Sequence, residues 1–224
     1  MSPPKSVFLT GATGFLGRNL APELVQRGHR VRALARPGSE ARIAPGCELV
    51  QGDPLDASSY RKQVAPADTF VHLVGVSHPS PAKAAEFRNI DLKSAQAGVD
   101  AAVSAGIHHF IYVSVAHPAP VMKEYIAARS EGEIGVQASF ANATILRPWY
   151  ILGPGRRWPL LLLPIYWFLG TLPSTRESAR RLGLVTIEQM VAAMLRAVEE
   201  PARGVRVLEV PEIRAAVLSH KLAR

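Results

Sequence analysis

The chain has 224 residues, enough for the core of one full domain, whereas two independent domains would each be small. Its 48% hydrophobic residues suit a globular protein, and the single cysteine, Cys47, excludes an internal disulfide bond. The formal charge of +8 could favour nucleic acid, anionic lipid or a phosphorylated ligand, or simply belong to a basic soluble protein.

A strand, a tight turn and a helix are the first predicted elements. Val7–Leu9 is an apolar run, and glycines follow it at positions 11, 14 and 17. In such a turn, Gly11 permits the sharp bend, Gly14 lets a pyrophosphate approach the backbone and Gly17 lets the helix pack closely on the sheet. The N–H groups at the start of the helix, which stops at Gly28, would then face a phosphate. The candidate cofactor-binding residues here are Gly11, Thr13, Gly14, Phe15, Leu16 and Gly17.

Strand-like and helix-like segments then alternate along most of the chain. The predicted strands are Val31–Ala35, Glu48–Val50, Thr69–Val74, His109–Val113 and Ala143–Leu146, and the predicted helices are Ala82–Ala105 and Val121–Gln137. Apolar strands joined by helical crossovers are typical of a parallel sheet that is buried on both faces. We therefore predict an α/β fold of the Rossmann type, a doubly wound parallel sheet with helices on both faces.

The pattern changes after Pro148. Residues 153–155 (Gly-Pro-Gly) break the chain, and Trp158–Leu169 is an apolar stretch too short to span a bilayer. This stretch could be a core helix, a lid over an apolar substrate pocket or a patch that touches membrane. The lid is favoured and would imply a lipophilic or quinone-like substrate. We predict one domain over residues 1–224 with a small C-terminal substrate lobe around residues 149–185.

The end of the chain returns to regular elements. Thr186 is the predicted N-cap of a helix with an apolar stripe. Val205–Val210 predicts a final strand, and Glu212–His220 predicts a short closing helix.

Several motifs along the chain resemble the short-chain dehydrogenase/reductase superfamily, in particular its extended and atypical branches. These branches include NAD-dependent epimerase/dehydratase-like and NmrA-like proteins and an accessory subunit of respiratory complex I. The resemblance covers roughly residues 5–210. It depends on Thr10–Gly17, Gly52-Asp53, Val71–Gly75, the pair Tyr125 and Arg129, and Leu146-Arg147-Pro148 followed by Gly153. It implies that the chain binds NAD or NADP.

The resemblance also implies three candidate catalytic residues. Tyr125 would be the acid/base, Arg129 the anchor of the nicotinamide ribose and Ser114 a donor to the substrate oxygen. Active family members carry lysine where this chain has Arg129, and arginine is wider and forked; Arg129 could instead pair with Glu133. The family's hydroxyl usually lies one residue after Ser114, where this chain has Val115. Two functions therefore stay open: an NADP-dependent oxidoreductase or epimerase/dehydratase-like enzyme, and a non-catalytic NADPH-binding sensor or assembly factor.

The residue that ends the second strand indicates which dinucleotide is bound. A carboxylate there would bond the 2′-hydroxyl of NAD, whereas this chain has Arg36, which can fork onto the 2′-phosphate of NADP unless it is only a solvated loop residue. NADP is therefore predicted over NAD, with Arg32 or Ser39 assisting. By resemblance, Asp53 contacts the adenine amine, although it could also have a turn or helix-cap role before Leu55–Val64. The other candidate cofactor residues are Leu73, Val74, Gly75 and Val76 on the adenosine side and Pro148, Trp149 and Tyr150 near the nicotinamide.

Other sequence features indicate which ligands and partners the chain binds. His72 lies within a buried strand and is interpreted as a core histidine, and no cluster of side chains has metal-ligand spacing, so no metal is predicted. The lysines and arginines are spread along the chain, which argues against nucleic acid as a partner. The first residues lack the apolar stretch of a secretory signal, which predicts a cytoplasmic protein that could touch membrane through Trp158–Leu169. The predicted partners are a dinucleotide and a small-molecule substrate, and an oligomer is allowed.

Overall fold

Seven strands form a parallel sheet in the part of the chain that the computed structural model describes, residues 3–155 and 181–222. In chain order the strands are β1 (Ser6–Thr10), β2 (Arg30–Ala35), β3 (Glu48–Gln51), β4 (Thr69–His72), β5 (His109–Val113), β6 (Ala143–Leu146), β7 (Tyr150–Leu152), β8 (Leu184–Thr186) and β9 (Val205–Leu208). The sheet has the order β3-β2-β1-β4-β5-β6-β9, and β7 and β8 form a separate parallel pair. Because the order reverses between β1 and β4, the carboxyl ends of these strands flank a crevice. The predicted doubly wound parallel sheet is confirmed.

Helices cover both faces of the sheet. They are α1 (Phe15–Gln26), α2 (Ala84–Glu86), α3 (Lys93–Ser104), α4 (Lys123–Ser139), α5 (Ile187–Glu199) and α6 (Val210–Leu222). Helices α1, α5 and α6 share a hydrophobic core with Val7 and Leu9 of β1, whereas α3 and α4 share a second core with Phe8. The alternation of side chains along a buried strand therefore supplies two separate cores, one on each face of the sheet.

A row of stacked aromatic rings crosses the face that α3 and α4 cover. Phe8, Phe70 and Phe110 occupy matching register positions on β1, β4 and β5, and the successive ring centres lie 5.3 Å and 5.0 Å apart. All three side chains are fully buried. Burying each one stabilises the fold by roughly 1.5–3 kcal/mol relative to leaving it exposed. The row stabilises the register of β1, β4 and β5 and therefore the positions of their carboxyl ends relative to one another.

The segment predicted as one helix over Ala82–Ala105 has a more complex form. A π-helical segment spans Phe87–Leu92 after α2, and α3 begins only after it. A π-helical turn is wider than an α-helical one and shifts side chains away from the regular helical pattern. Asp91, within this segment, is fully buried. The prediction of a single regular helix was wrong here, and β4 also ends at His72 rather than at Val74.

Helix α5 begins as the sequence predicts. The Thr186 hydroxyl accepts the N–H of Gln189 at 3.3 Å, and the Gln189 side chain accepts the N–H of Thr186 at 2.8 Å. This reciprocal arrangement is a capping box, which satisfies two N–H groups that a helix start would otherwise leave unpaired.

The predicted substrate lobe falls largely outside the described residues. Residues 156–180 are not among them, so the Trp158–Leu169 segment, predicted as a lid, core helix or membrane patch, lies there too. None of the helices in the described ranges is long and apolar enough to cross a membrane.

Candidate functional site

The glycine-rich turn joins β1 to α1 where the strand order reverses. Gly11 has a φ of +74°, and a Cβ atom there would lie 2.7 Å from the carbonyl carbon of Leu73. A Cβ atom at Gly17 would overlap the carbonyl oxygen of Gly11, so α1 packs directly on the turn. Gly14, the N-cap of α1, is exposed and has no capping side chain, and the first turn of the helix has no acidic residue. The start of α1 is thus bare backbone, which suits an anionic pyrophosphate.

A cleft of about 350 Å³ opens beside this turn. Its lining brings together many of the predicted site residues: Gly14, Phe15, Leu16, Leu73, Gly75, Val76, Ser114, Tyr125, Arg129, Pro148, Trp149 and Tyr150. The other predicted cofactor residues lie outside the lining: Gly11, Thr13, Gly17, Arg36, Asp53 and Val74. The three candidate catalytic residues therefore share one cavity with the start of α1.

Arg129 lies in α4 at the edge of this cleft and is only 5% exposed. Its Nη2 lies 2.6 Å from Oδ1 of Asp91, and its Nη1 donates to the carbonyl oxygen of Val113 at 2.9 Å. The guanidinium carbon also lies 5.5 Å from the ring centre of Tyr125. Both terminal nitrogens of the guanidinium are therefore engaged by protein groups.

The ion pair between Arg129 and Asp91 needs the glycine at position 75. A Cβ atom at Gly75 would overlap Nη2 of Arg129 and would lie 2.9 Å from Oδ1 of Asp91. Asp91 is fully buried, and its Oδ2 accepts the N–H of Val76 at 3.2 Å. Burial raises the pKa of the Asp91 carboxyl, and the Arg129 guanidinium opposes that shift. Gly75 thus makes room for a side-chain ion pair, a role that the sequence does not reveal.

The alternative pairing of Arg129 with Glu133 does not form. Instead, Oε1 of Glu133 accepts a hydrogen bond from Nε of Arg147 at 3.0 Å. A second hydrogen bond, also 3.0 Å, joins Nη1 of Arg147 to Glu209. Arg147 therefore ties the end of β6 to α4 and to the residue after β9, and so supports Pro148, the next residue, in the cleft wall.

Ser114 follows β5, and its hydroxyl is buried without a hydrogen-bond partner among the described residues. The residue is 3% exposed, and its N–H donates to the carbonyl oxygen of Leu146 at 2.8 Å. Buried hydroxyls normally have partners, so this one is well suited to bind an oxygen of a ligand. Val115, at the family's usual hydroxyl position, also lines the cleft but is apolar.

Tyr125 lies in the first turn of α4 and is half-buried. Its ring packs on Phe87 of the π-helical segment, with the ring centres 4.9 Å apart. The π-helical segment therefore contributes to both sides of the site, because it positions the Tyr125 ring through Phe87 and the Arg129 guanidinium through Asp91.

His72, interpreted from the sequence as a core histidine, is fully buried. Its Nδ1 lies 3.0 Å from Oγ1 of Thr10, and its Nε2 lies 3.4 Å from Oγ of Ser94. Ser94 in turn donates to the backbone carbonyl oxygen of Asp91 at 3.1 Å. Burial lowers the pKa of His72 to about 3, so its imidazole is neutral near pH 7. The structure agrees with the interpretation as a core residue.

Arg36, the predicted cofactor-selecting residue, comes directly after β2 and is exposed. Arg32, predicted to assist it, is instead engaged elsewhere. Its Nη2 lies 2.7 Å from Oε1 of Glu48, and its Nη1 binds two backbone carbonyls of the loop before β4. Arg32 is therefore not available to a ligand beside Arg36.

Asp53 is exposed, and its Oδ1 accepts the N–H of Leu55 at 2.9 Å. The turn-capping role offered as an alternative for Asp53 is therefore present. The segment Leu55–Val64 contains two short 3₁₀ turns, Ala57–Ser59 and Arg61–Gln63.

Two residues near the cleft were missed by the sequence reasoning. Asp91 lies in an alanine-rich helical segment, and its position beside the apolar Leu92 is the only signal that could have indicated burial. His78 lines the cleft from an irregular loop after β4, where no periodicity indicates direction.

Comparison with known proteins places this geometry in a family. The model of a family described as NAD(P)H-binding matches residues 11–156. A ceramide reductase of Caulobacter vibrioides is 30% identical over 210 residues, which are 93% of this chain and 65% of that protein. The photosystem II assembly factor Ycf39 of Cyanophora paradoxa is 32% identical over 113 residues, 49% of this chain and 34% of that protein. The chain thus spans less than two thirds of the length of these curated relatives.

A solved structure shows the same fold. The Bordetella bronchiseptica enzyme WbmH, in complex with NAD+, superposes with a TM-score of 0.69 at 21% identity, over 98% of this chain and 83% of that one. The family match, the strand order and the bare glycine turn agree with one another. This chain therefore belongs to the family of NAD(P)H-binding proteins whose model it matches over residues 11–156.

Proposed function

We propose that this chain is an NADP(H)-dependent oxidoreductase that acts on a lipophilic carbonyl or hydroxyl compound. The observation that carries the proposal is one cleft in which three groups meet: the bare start of α1, Tyr125 and the Ser114 hydroxyl, which has no partner in the described part of the chain. These groups supply an anion site, a hydrogen-bond donor and a candidate acid/base. In a hydride-transfer enzyme the anion site holds the dinucleotide, and the other two groups act on the substrate.

The residues fit a nicotinamide dinucleotide. The exposed Gly14 and the bare first turn of α1 would hold the pyrophosphate. Arg36, exposed at the end of β2, would bind the 2′-phosphate that distinguishes NADP from NAD. When bound, the cofactor supplies or accepts a hydride.

The cleft's own side chains handle the proton. In reduction, the Ser114 hydroxyl donates a hydrogen bond to the substrate oxygen, and Tyr125 gives its phenolic proton to that oxygen. In oxidation the proton returns from the substrate hydroxyl to Tyr125. Arg129 exchanges no proton, because a guanidinium stays charged and both its terminal nitrogens are engaged. It acts as a fixed positive charge beside the Tyr125 ring.

The lining of the cleft supports a lipophilic substrate. Beyond the turn residues, its apolar side chains are those of Leu73, Val76, Pro79, Val113, Val115, Pro148, Trp149 and Ile151. Such a lining favours ligands with a substantial apolar surface. The similarity to a protein named ceramide reductase, which spans 93% of this chain, supports the same class of substrate.

The choice of cofactor is tested by Arg36→Ala. Removing a charged hydrogen-bond donor from the 2′-phosphate should weaken NADPH binding by about 10- to 100-fold while leaving NADH binding nearly unchanged. Isothermal titration calorimetry with each dinucleotide measures both affinities. The control is Arg42→Ala, which removes another exposed arginine between β2 and β3. It should change neither the NADPH affinity nor the NADH affinity. Equal losses for NADPH and NADH would reject the assignment to NADP.

A second function is favoured by one observation. The position that carries lysine in active family members holds Arg129, and its guanidinium is committed to the buried Asp91. A non-catalytic NADPH-binding sensor or assembly factor would have this property. The similarity over 49% of the chain to a photosystem II assembly factor supports the same alternative.

The two functions are separated by Tyr125→Phe. The enzyme should lose turnover by about 100-fold or more in this variant, the contribution of a positioned proton donor, while NADPH still binds. NADPH consumption with a panel of lipophilic aldehydes and ketones, such as decanal and acetophenone, is the assay. Tyr60→Phe is the matched control, because its hydroxyl is buried in the core without a partner among the described residues. Stoichiometric NADPH binding with no consumption by the unmodified protein would instead favour the sensor.

A further inference from the structure

The proposed reaction leaves Tyr125 in need of a proton after each reduction. Arg129, the cation beside its ring, cannot supply one, because its guanidinium does not deprotonate and is bound to Asp91 and to the Val113 carbonyl. The buried His72 is neutral and hydrogen-bonded to Thr10. A group that lines the cleft and also meets solvent is the candidate for that proton supply.

His78 is the one imidazole among the described residues that line the cleft, and none of those residues carries a carboxylate. Imidazole is the side chain best able to give and take a proton near neutral pH. His78 is exposed to solvent and lines the same cavity as Tyr125. It therefore has access both to water and to the site.

The loop that carries His78 is held in place. The Ser77 hydroxyl lies 3.0 Å from Nδ1 of His78, and Nζ of Lys83 donates to the Ser77 carbonyl oxygen at 2.7 Å. His78 has a φ of +53°, a left-handed conformation that is uncommon for residues other than glycine and is often found at functional sites. These contacts orient the imidazole, and they leave Nε2 as the nitrogen for proton exchange.

We propose that His78 supplies the proton that restores Tyr125, an inference that rests on the proposed oxidoreductase function. After Tyr125 has protonated the substrate oxygen, an N–H bond of the His78 imidazolium breaks and an O–H bond forms at the phenolate oxygen, with the proton crossing the cleft that both side chains line. The neutral imidazole then takes a proton from solvent. The two electrons of the reduction come from a reduced nicotinamide, so the histidine changes only its proton count. In oxidation the same steps run backwards.

The test compares His78→Gln with His108→Gln in NADPH-dependent reduction of decanal or acetophenone. His78→Gln should lower kcat by about 100-fold, the lower range for a positioned proton-transfer group, with the Kd for NADPH unchanged. His108 is an exposed histidine just before β5, at the opposite end of that strand from Ser114, and its replacement should leave kcat unchanged. Ser77→Ala should lower kcat by less than His78→Gln does, because it removes only the contact that orients the His78 imidazole.

Chemical rescue by free imidazole distinguishes a role of His78 in proton supply from a purely structural role. Free imidazole in the assay should restore much of the kcat of His78→Ala and should not affect Tyr125→Phe. If His78→Gln turns over like the unmodified protein while Tyr125→Phe does not, the role of His78 is overturned and the proposed function stands. If imidazole restores nothing, His78 is not the proton source. If the unmodified protein reduces no carbonyl compound, the proposed function fails and this inference fails with it.

Discussion

Gly17→Ala should weaken dinucleotide binding by about 100-fold and lower the free energy of unfolding by about 1–3 kcal/mol. The added Cβ would overlap the carbonyl oxygen of Gly11 and would lie 2.5 Å from the Cα of Ala12. Both are backbone atoms, so neither can rotate away as a flexible side chain could. Helix α1 must then move from the turn, and its N–H groups lose their alignment with the pyrophosphate. A displacement of about 1 Å at such a site can reduce binding or rate by about 100-fold.

The matched control for that change is Gly135→Ala. Gly135 lies in α4, and a Cβ atom there would meet nothing within 4 Å. Alanine is the better helix former, so this variant should gain up to about 1 kcal/mol and should bind NADPH normally. Calorimetric titration with NADPH and urea denaturation measure the two effects. Normal NADPH binding by a folded Gly17→Ala protein would show that the pyrophosphate does not lie at this turn.

Asp91→Ala should lower the free energy of unfolding by about 3–5 kcal/mol, because it leaves the buried Arg129 guanidinium without its counter-charge. Asp91 is fully buried and Arg129 is 5% exposed, so water cannot replace the lost partner. The double variant Asp91→Ala/Arg129→Met should recover part of the loss, since it removes the orphaned charge as well as its partner. Urea denaturation of the three proteins measures these differences.

An exposed ion pair provides the comparison. Arg196 and Glu200 are four residues apart, their side chains are 54% and 58% exposed, and Nε lies 3.0 Å from Oε2. Glu200→Ala should therefore change the free energy of unfolding by no more than about 0.5 kcal/mol. If Asp91→Ala costs as little as Glu200→Ala, the buried pair does not support the cleft. If Asp91→Ala does not fold at all, recovery in the double variant becomes the decisive measurement.

Much of the fold could be predicted from the sequence because its buried strands are short apolar runs with clear ends. His109–Val113 and Ala143–Leu146 have the same bounds in the sequence prediction and in the structure. The glycine triplet was informative because its regular spacing follows an apolar run and because Gly17 packs on the backbone of Gly11 and Ala12, which are close in sequence. Such local patterns can be recognised in one sequence, without knowing which distant residues the fold brings into contact.

The contacts that hold the side chains of the site in place could not be predicted in the same way. Asp91 reaches Arg129 from an element 38 residues earlier, and its burial accompanies a π-helical segment that composition does not reveal. Alanine-rich sequence indicates a helix but not its local winding. The direction of Arg129 likewise depends on Gly75, whose role is set by a side chain from another element. Long-range partners of this kind become visible only when the chain is folded.

The overlap between position 75 and the guanidinium has an evolutionary consequence. A lineage that retains arginine at 129 has little freedom to enlarge residue 75, even by a methyl group, whereas a lineage that loses the arginine is released from that restriction. The two sites should therefore change together during divergence, although 54 positions separate them along the polypeptide. Which residue occupies one of the two positions determines which substitutions the protein tolerates at the other.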